Sequence, residues 1–324
     1  MRTGRTIVHL LLLAAAGLVA AESLKISAFN IQVFGRSKLS KTEVVELLKQ
    51  IVRRYDIVLI QEIRDSTETT IPDFLNIINN GSSVRYEAVV SERLGRTSSK
   101  EQYAFLYRLG AVEVLKTYQH EDTEDQFERE PFSVLFTDPR RGEEFFLLGI
   151  HVKPSDVVNE LEALGPAFQL ASGVHGNSRG VIMGDLNAGC SYLSRSKYEE
   201  LSLVKDSSFI WLLGYDADTT VASSTCSYDR FIVHESLNSS VVEGSAGVFN
   251  FTDAYSLTAG QAKNVSDHFP IEFQLELDSQ GGSHFNEHST PSTASSSPSL
   301  LHHPPLLLTA GLIAITVIRY CLFH

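Results

Sequence analysis

The sequence predicts an α/β protein in which packed β-sheets are covered by helices, and three observations carry that prediction. Short β-rich runs recur, several continuously apolar like Ile57-Val58-Leu59-Ile60, the pattern of a strand buried on both faces. Amphipathic helical segments lie between the runs, so strand and helix alternate. Polar residues stand repeatedly where the apolar runs stop. With 43% hydrophobic and 20% charged residues among 324, the chain has ample material for a core, which excludes disordered, collagen-like and coiled-coil classes.

Taken in order, the expected strands are 25–31, 56–61, 87–91, 103–107, 132–136, 144–150, 180–184, 230–234 and 271–277. Ser40-Lys-Thr-Glu43 has the form of a capping box, opening a helix whose Val44, Leu47, Leu48, Ile51 and Val52 share one face. A second helix is expected over 156–171, capped by Ser155 and bent at Gly165-Pro166. No repeat or linker interrupts residues 22–278, which are read as one large domain.

The two ends read differently. Arg2 and Arg5 precede a largely apolar run, Ile7–Leu18, with small residues at Val19 and Ala21, so residues 1–21 are expected to be a secretory signal peptide. Residues 279–304 form a spacer rich in Ser, Pro and His that cannot bury enough surface to fold. Residues 305–324 contain the apolar run Leu306–Ile318, short for a permanent span, which normally needs roughly 17–25 residues. Small residues around Ala294–Ser297 followed by a spacer and this tail match a glycolipid (GPI) anchor signal; a short tail anchor and an unprocessed tail are the alternatives. The protein is therefore expected in the secretory pathway, at the cell surface or in the endoplasmic reticulum, or secreted, and as a monomer.

Formal charge is −12 over the whole chain. Without Arg2, Arg5, Arg319 and Glu287, residues 22–278 carry 24 basic and 38 acidic side chains, a charge of −14. That excludes a polybasic binder holding nucleic acid through many phosphate neutralisations; any action on a polyanion has to be local. If the tail with Cys321 is removed, Cys190 and Cys226 are left as one pair, as expected after secretion, with two buried thiols as the alternative. Sequons at Asn80, Asn238, Asn250 and Asn264 agree with secretory passage.

The chemistry is expected at the strand ends. Asn30, Glu62, His151, Asp185 with Asn187, and Asp267 with His268 each stand beside a β-rich run, and strand ends in layered α/β folds converge on one mouth. Asn30, Glu62, Asp185, Asn187 and Asp267 are hard oxygen donors suited to Mg²⁺ or Ca²⁺, and zinc-type spacings are missing. His151 and His268 could move protons once oriented by carboxylates such as Glu101 and Asp229, and Arg129 offers a fixed fork for phosphate. Together these groups describe metal-assisted phosphodiester hydrolysis.

AFNIQVFG at 28–35, YDIVLIQEIRDS at 55–66, REPF at 129–132, GDLNAGCSY at 184–192, TCSYDR at 225–230 and SDHFP at 266–270 resemble the deoxyribonuclease I family, in order over roughly residues 24–277. GDLNA and SDHFP alone indicate only the wider endonuclease/exonuclease/phosphatase superfamily. The acidic segment 121–128 and the apolar tail look most like the membrane-anchored deoxyribonuclease I-like branch. The resemblance implies a four-layer sandwich of two packed mixed sheets flanked by helices, and cleavage of DNA to 5′-phosphates. It implies catalytic Mg²⁺ at Glu62 and Asn30, with Asp185, Asn187 and Asp267 on metal or the scissile phosphate. His268 with Asp229 resembles the pair that activates water, and His151 with Glu101 the pair that protonates the leaving 3′-oxygen. Arg129 and Tyr228 match phosphate contacts, Arg64 a minor-groove arginine, and Asp218 and Thr220 part of a structural Ca²⁺ site. Cys190 and Cys226 match the family's disulfide.

Three departures stand out: Gln32 in place of an arginine beside the phosphates, Ser99 in place of a minor-groove tyrosine, and a 121–128 loop without a cysteine pair. They imply weaker or differently shaped duplex binding, leaving the hydrolytic core intact. Two rival functions share some of these features: a sphingomyelinase-like or inositol-phosphate phosphodiesterase, and a catalytically silent surface-binding module.

Overall fold

The computed structural model describes residues 23–277. The signal peptide expected over 1–21, the spacer over 279–304 and the anchor signal over 305–324 lie outside the described residues. Among the described residues no helix is long and apolar enough to cross a membrane.

Twelve strands form two six-stranded sheets. The first contains β1 (Leu24–Phe34), β2 (Ile57–Ile63), β3 (Tyr86–Val90), β4 (Gln102–Arg108), β11 (Gly247–Val248) and β12 (Ile271–Leu275), in the order β11-β12-β1-β2-β4-β3. The second contains β5 (Glu113–Gln119), β6 (Phe132–Asp138), β7 (Glu143–Gly149), β8 (Gly180–Asp185), β9 (Phe209–Trp211) and β10 (Asp229–His234), in the order β5-β6-β7-β8-β10-β9. Each sheet is mixed in the same way, with one central parallel pair and antiparallel neighbours. The parallel pairs are β1·β2, with Ala28 opposite Leu59, and β7·β8, with Leu148 opposite Ile182. A parallel pair requires a crossover, supplied by the helices Thr42–Val52 and Val157–His175.

Alternation along the strands separates three cores and so produces four layers. Ile26, Ala28, Leu59 and Phe105 face Val134, Phe136, Leu147, Met183 and Phe231 between the sheets. Phe29, Ile31, Val58 and Ile60 point outward onto Leu48, Ile51 and Phe74 of the helices Thr42–Val52 and Thr70–Asn79. Phe146, Leu148 and Ile182 do the same against Leu161, Leu164 and Phe168 of Val157–His175. Central strands buried on both faces explain their unbroken apolar runs. The expected sandwich of two mixed sheets flanked by helices is the observed fold.

Local details differ from expectation at both helix starts. The capping box at Ser40 does not form: Ser40 caps the C-terminus of a short preceding helix, Arg36–Leu39, and its hydroxyl donates to Ser37 O at 2.9 Å. Lys41 is the N-cap of Thr42–Val52, without a side-chain bond. Ser155 likewise gives way to Asp156, also without a side-chain cap, and the helix runs through Pro166 to His175.

Candidate active site

Because β4 and β12 run antiparallel to their neighbours in the first sheet, and β6 and β10 in the second, their starts lie at the same edge as the ends of the parallel strands. That edge collects Asn30 and Glu62 from β1 and β2, and Asp185 and His151 from and just beyond β8 and β7. It also collects Glu101, Arg129, Asp229 and His268 from the starts of β4, β6, β10 and β12 or the residues before them.

Asn30 joins the two sheets. Its Nδ2 donates to Glu62 Oε1 at 3.1 Å and across the interface to Asp185 Oδ2 at 3.0 Å. Glu62 Oε2 accepts from Val33 N–H at 2.9 Å, and Arg64 Nη2 bridges it, at 3.2 Å, to Glu101 Oε1, at 2.7 Å. Val33, Glu62 and Asn187 all hold positive φ angles, 53°, 57° and 48°, the left-handed backbone that clusters at functional sites. Asn187 N–H donates to Asp185 Oδ1 at 3.0 Å and its Nδ2 to Val152 O at 2.9 Å, so it braces Asp185 from below.

Two histidine–carboxylate pairs flank Asp185. His151 Nδ1 lies 2.9 Å from Glu101 Oε2 and His268 Nδ1 lies 2.8 Å from Asp229 Oδ2. Both Nε2 atoms turn toward Asp185 Oδ2, at 3.4 and 3.6 Å. Burial alone would raise the Glu101 carboxyl, but His151, Arg129 and Arg64 outweigh it and hold it at about 2. Burial likewise opposes a charged His268, yet the carboxylates of Asp229 and Asp185 push it up to about 10. Arg129 Nε reaches His151 O at 3.0 Å and Glu101 Oε2 at 3.6 Å.

The fit to a metal and a phosphate is visible in what the protein leaves unpaired. Asp229 Oδ1 and Asp267 Oδ1 are buried oxygens without a hydrogen-bond donor, and Arg129 Nη2 is a buried nitrogen without an acceptor. Asp185, Asp229 and His268 bring ligand atoms within 4.8 Å of one another, and are the one such group of His, Cys, Asp and Glu among the described residues. Carboxylate oxygens dominate the set, as a hard divalent cation prefers. Asp267 is further engaged by Gln32, whose Nε2 donates to Oδ2 at 2.7 Å.

The remaining expected residues fall around this centre. Tyr228 packs 6.1 Å from the His268 ring and 5.2 Å from Tyr192, an exposed aromatic that closes the GDLNAGCSY motif. Cys190 and Cys226 form a disulfide beside it. Asp218 Oδ1 accepts from Thr220 N–H and Oγ1, both at 3.2 Å, and the following loop braces the His268 segment through Val221 N–H to Asp267 O at 2.8 Å. Ser99 is exposed on its loop. Arg64 lies against Glu62 and Glu101. Asn80, Asn238, Asn250 and Asn264 are all exposed, though Asn250 caps the short helix Phe251–Ala254. Three further residues were given no role from the sequence: Gln61, which stands inside the YDIVLIQEIRDS motif, Tyr103, whose hydroxyl accepts from His151 N–H at 2.9 Å, and Lys38. The buried Lys38 ammonium donates to Ile31 O at 3.1 Å and Val265 O at 2.8 Å.

Residues 27–268 match the Endonuclease/Exonuclease/phosphatase family. The chain is 44% identical over 274 residues to deoxyribonuclease-1 of Bos taurus, covering 82% of this chain and 97% of that one. It is 38% identical over 275 residues to deoxyribonuclease gamma of Homo sapiens, covering 82% and 90%. Among solved structures, an endonuclease/exonuclease/phosphatase from Bacteroides vulgatus has a TM-score of 0.56 at 17% identity, covering 79% of this chain and all of that one, a likeness of fold.

Proposed function

The chain belongs to the endonuclease/exonuclease/phosphatase family and within it to the deoxyribonuclease I family, and on that premise we propose a divalent-metal-dependent endodeoxyribonuclease with little sequence preference. The observation that supports it most directly is the convergence of two oriented imidazoles on one buried aspartate, with an arginine beside them.

In this reading His268, held at Nδ1 by Asp229, uses Nε2 to take the proton of the attacking water. His151, held by Glu101, gives a proton to the departing 3′-oxygen, leaving a 5′-phosphate. Arg129 and Tyr228 hold the scissile phosphate, and Arg64 reaches the minor groove. Asn30, Glu62, Asp185, Asn187 and Asp267 would hold Mg²⁺, whose charge when bound stabilises the phosphate's developing charge and offsets the carboxylates that keep His268 protonated. A structural Ca²⁺ at Asp218 and Thr220, glycans at the four sequons, secretory targeting and a lipid-anchored or short-tailed membrane attachment of a monomer complete the proposal.

Plasmid DNA incubated with the purified protein in Mg²⁺ should lose its supercoiled form, and EDTA should abolish that. Sphingomyelin offered under the same conditions should remain intact. Hydrolysis of sphingomyelin with plasmid untouched would move the substrate class to lipid phosphodiesters.

A further inference from the structure

The groups of the site are divided between two sheets, so their chemistry depends on how one sheet is held against the other. Gln61 lies in β2 of the first sheet, is fully buried, and directly precedes Glu62. Its side chain crosses to the second sheet. Nε2 donates to Ile150 O at 2.7 Å, and Oε1 accepts from Asp185 N–H at 2.9 Å. Ile150 precedes His151, and Asp185 ends β8, so one amide joins both strand ends that carry the second half of the site.

Gly184 makes room for this amide. A Cβ there would lie 2.3 Å from Ile150 O and 2.6 Å from Gln61 Nε2, and its φ of +133° suits glycine. The chemistry of the amide is equally constrained. A carboxylate would supply an acceptor for Asp185 N–H but no donor for Ile150 O, and an apolar side chain would leave both backbone groups buried without partners. Two of the other side chains that cross between the sheets here fix one point each. Tyr103 hydroxyl holds His151 N–H at 2.9 Å, and Asn30 reaches the side chain of Asp185 at 3.0 Å.

We propose that Gln61 is a positioning residue: its amide sets the spacing between the sheet carrying Glu62 and Asn30 and the sheet carrying His151 and Asp185. The proposal deepens the nuclease reading and rests on it for its kinetic arm. A residue that only fills space would change melting temperature and leave the kinetics of the folded protein alone.

The test uses Gln61→Leu and Gln61→Glu in the full chain, reading kcat and KM on duplex DNA, melting temperature, and Mn²⁺ affinity by calorimetry. Gln61→Leu should lower kcat and weaken Mn²⁺ binding, each by about 10–100-fold, the usual effect of losing a partner that orients metal ligands. KM for DNA should stay within about threefold, since no surface contact is touched. Gln61→Glu keeps the acceptor for Asp185 and loses the donor for Ile150, so kcat should fall by about tenfold in a protein that still folds. If Gln61→Leu does not fold, Gln61→Glu decides. Wild-type kcat and Mn²⁺ affinity in either folded variant overturn the proposal. A wild type that leaves DNA intact would refute the nuclease reading alone, and Mn²⁺ binding by Gln61→Leu would still decide the role of Gln61.

Discussion

The two histidine–carboxylate pairs have nearly the same geometry and opposite surroundings. In each, the carboxylate belongs to the start of a strand in one sheet and the histidine to the other sheet: Glu101 before β4 with His151 beyond β7, and Asp229 in β10 with His268 before β12. Glu101 is flanked by Arg64 and Arg129, at 2.7 and 3.6 Å. Asp229 makes no close ion pair with an arginine among the described residues, feels the neighbouring Arg230 only through its field, leaves Oδ1 unpaired, and faces the further carboxylates Asp185 and Asp267 around His268. One pair is balanced by the protein's own cations. The other has an excess of negative charge that a divalent cation would balance. The difference sets two imidazoles a few ångströms from the same oxygen in unlike electrostatic surroundings.

The comparison breaks most visibly in the kinetics. His268→Ala and His151→Ala should each lower kcat on DNA by at least 10²-fold, the ordinary contribution of a positioned proton carrier. Near-normal plasmid cleavage by His268→Ala would remove the mechanism. The disulfide separates the pairs next. Cys226 lies three residues before Asp229 and far from Glu101 in sequence. Replacing both cysteines by serine should cost about 4 kcal/mol in the chain-entropy model for a separation of 36 residues. Amide exchange at 226–230 should then rise well before that at 101–105; equal rises would show that the bridge stabilises both pairs alike.

Glu101→Gln and Asp229→Asn sharpen the contrast in stability. The first leaves the largely buried Arg129 without its carboxylate, while Arg64 keeps Glu62, and should cost about 3 kcal/mol in urea unfolding, whereas the second breaks no arginine pair and should cost less. The reverse order would mean that the arginines do not balance Glu101. A histidine outside both pairs supplies the control. Burial, helped by Lys116, lowers His175 to about 4, and its Nε2 lies 2.9 Å from Ser133 Oγ. Below pH 6.5 the unfolded chain takes up a proton that the folded chain refuses until about pH 4. Stability from this group is therefore complete above pH 6.5 and lost as pH falls through that window, on the order of 2 kcal/mol. His175→Phe should flatten that part of the stability–pH curve and leave DNA cleavage per folded molecule unchanged.

Much of the fold is legible in the residues, for a physical reason that also marks the limit. All nine expected strands occur: those buried on both faces, such as β2 and β8, write themselves as unbroken apolar runs, whereas β12 shows alternation and the edge strand β3 a short β-rich run. β5 escapes because it is an edge strand whose Glu113, Leu115, Lys116 and Thr117 are exposed, and β9 and β11 are too short to show a period. The helix Thr70–Asn79 escapes because Pro72 in its first turn and an uncapped start resemble a loop. The capping box at Ser40 misleads because the same hydroxyl is used by the preceding helix end. At the site, polar groups that break an apolar run announce themselves, and Glu62, His151, Asp185 and His268 do come together. Gln61, Tyr103 and Lys38 do not announce themselves, since what they do depends on partners as far away as residue 265.

The Ser266 hydroxyl bears on the glycan proposed at Asn264. It is fully buried, donates to Asn30 O at 2.6 Å and accepts from His268 N–H at 3.1 Å. It is also the third residue of the sequon that begins at Asn264. A transferase that must engage that hydroxyl cannot do so once the cleft has closed around it. Any sugar on Asn264 therefore has to be attached to the nascent, still-open chain, and its occupancy would record how quickly the last strand docks during biosynthesis.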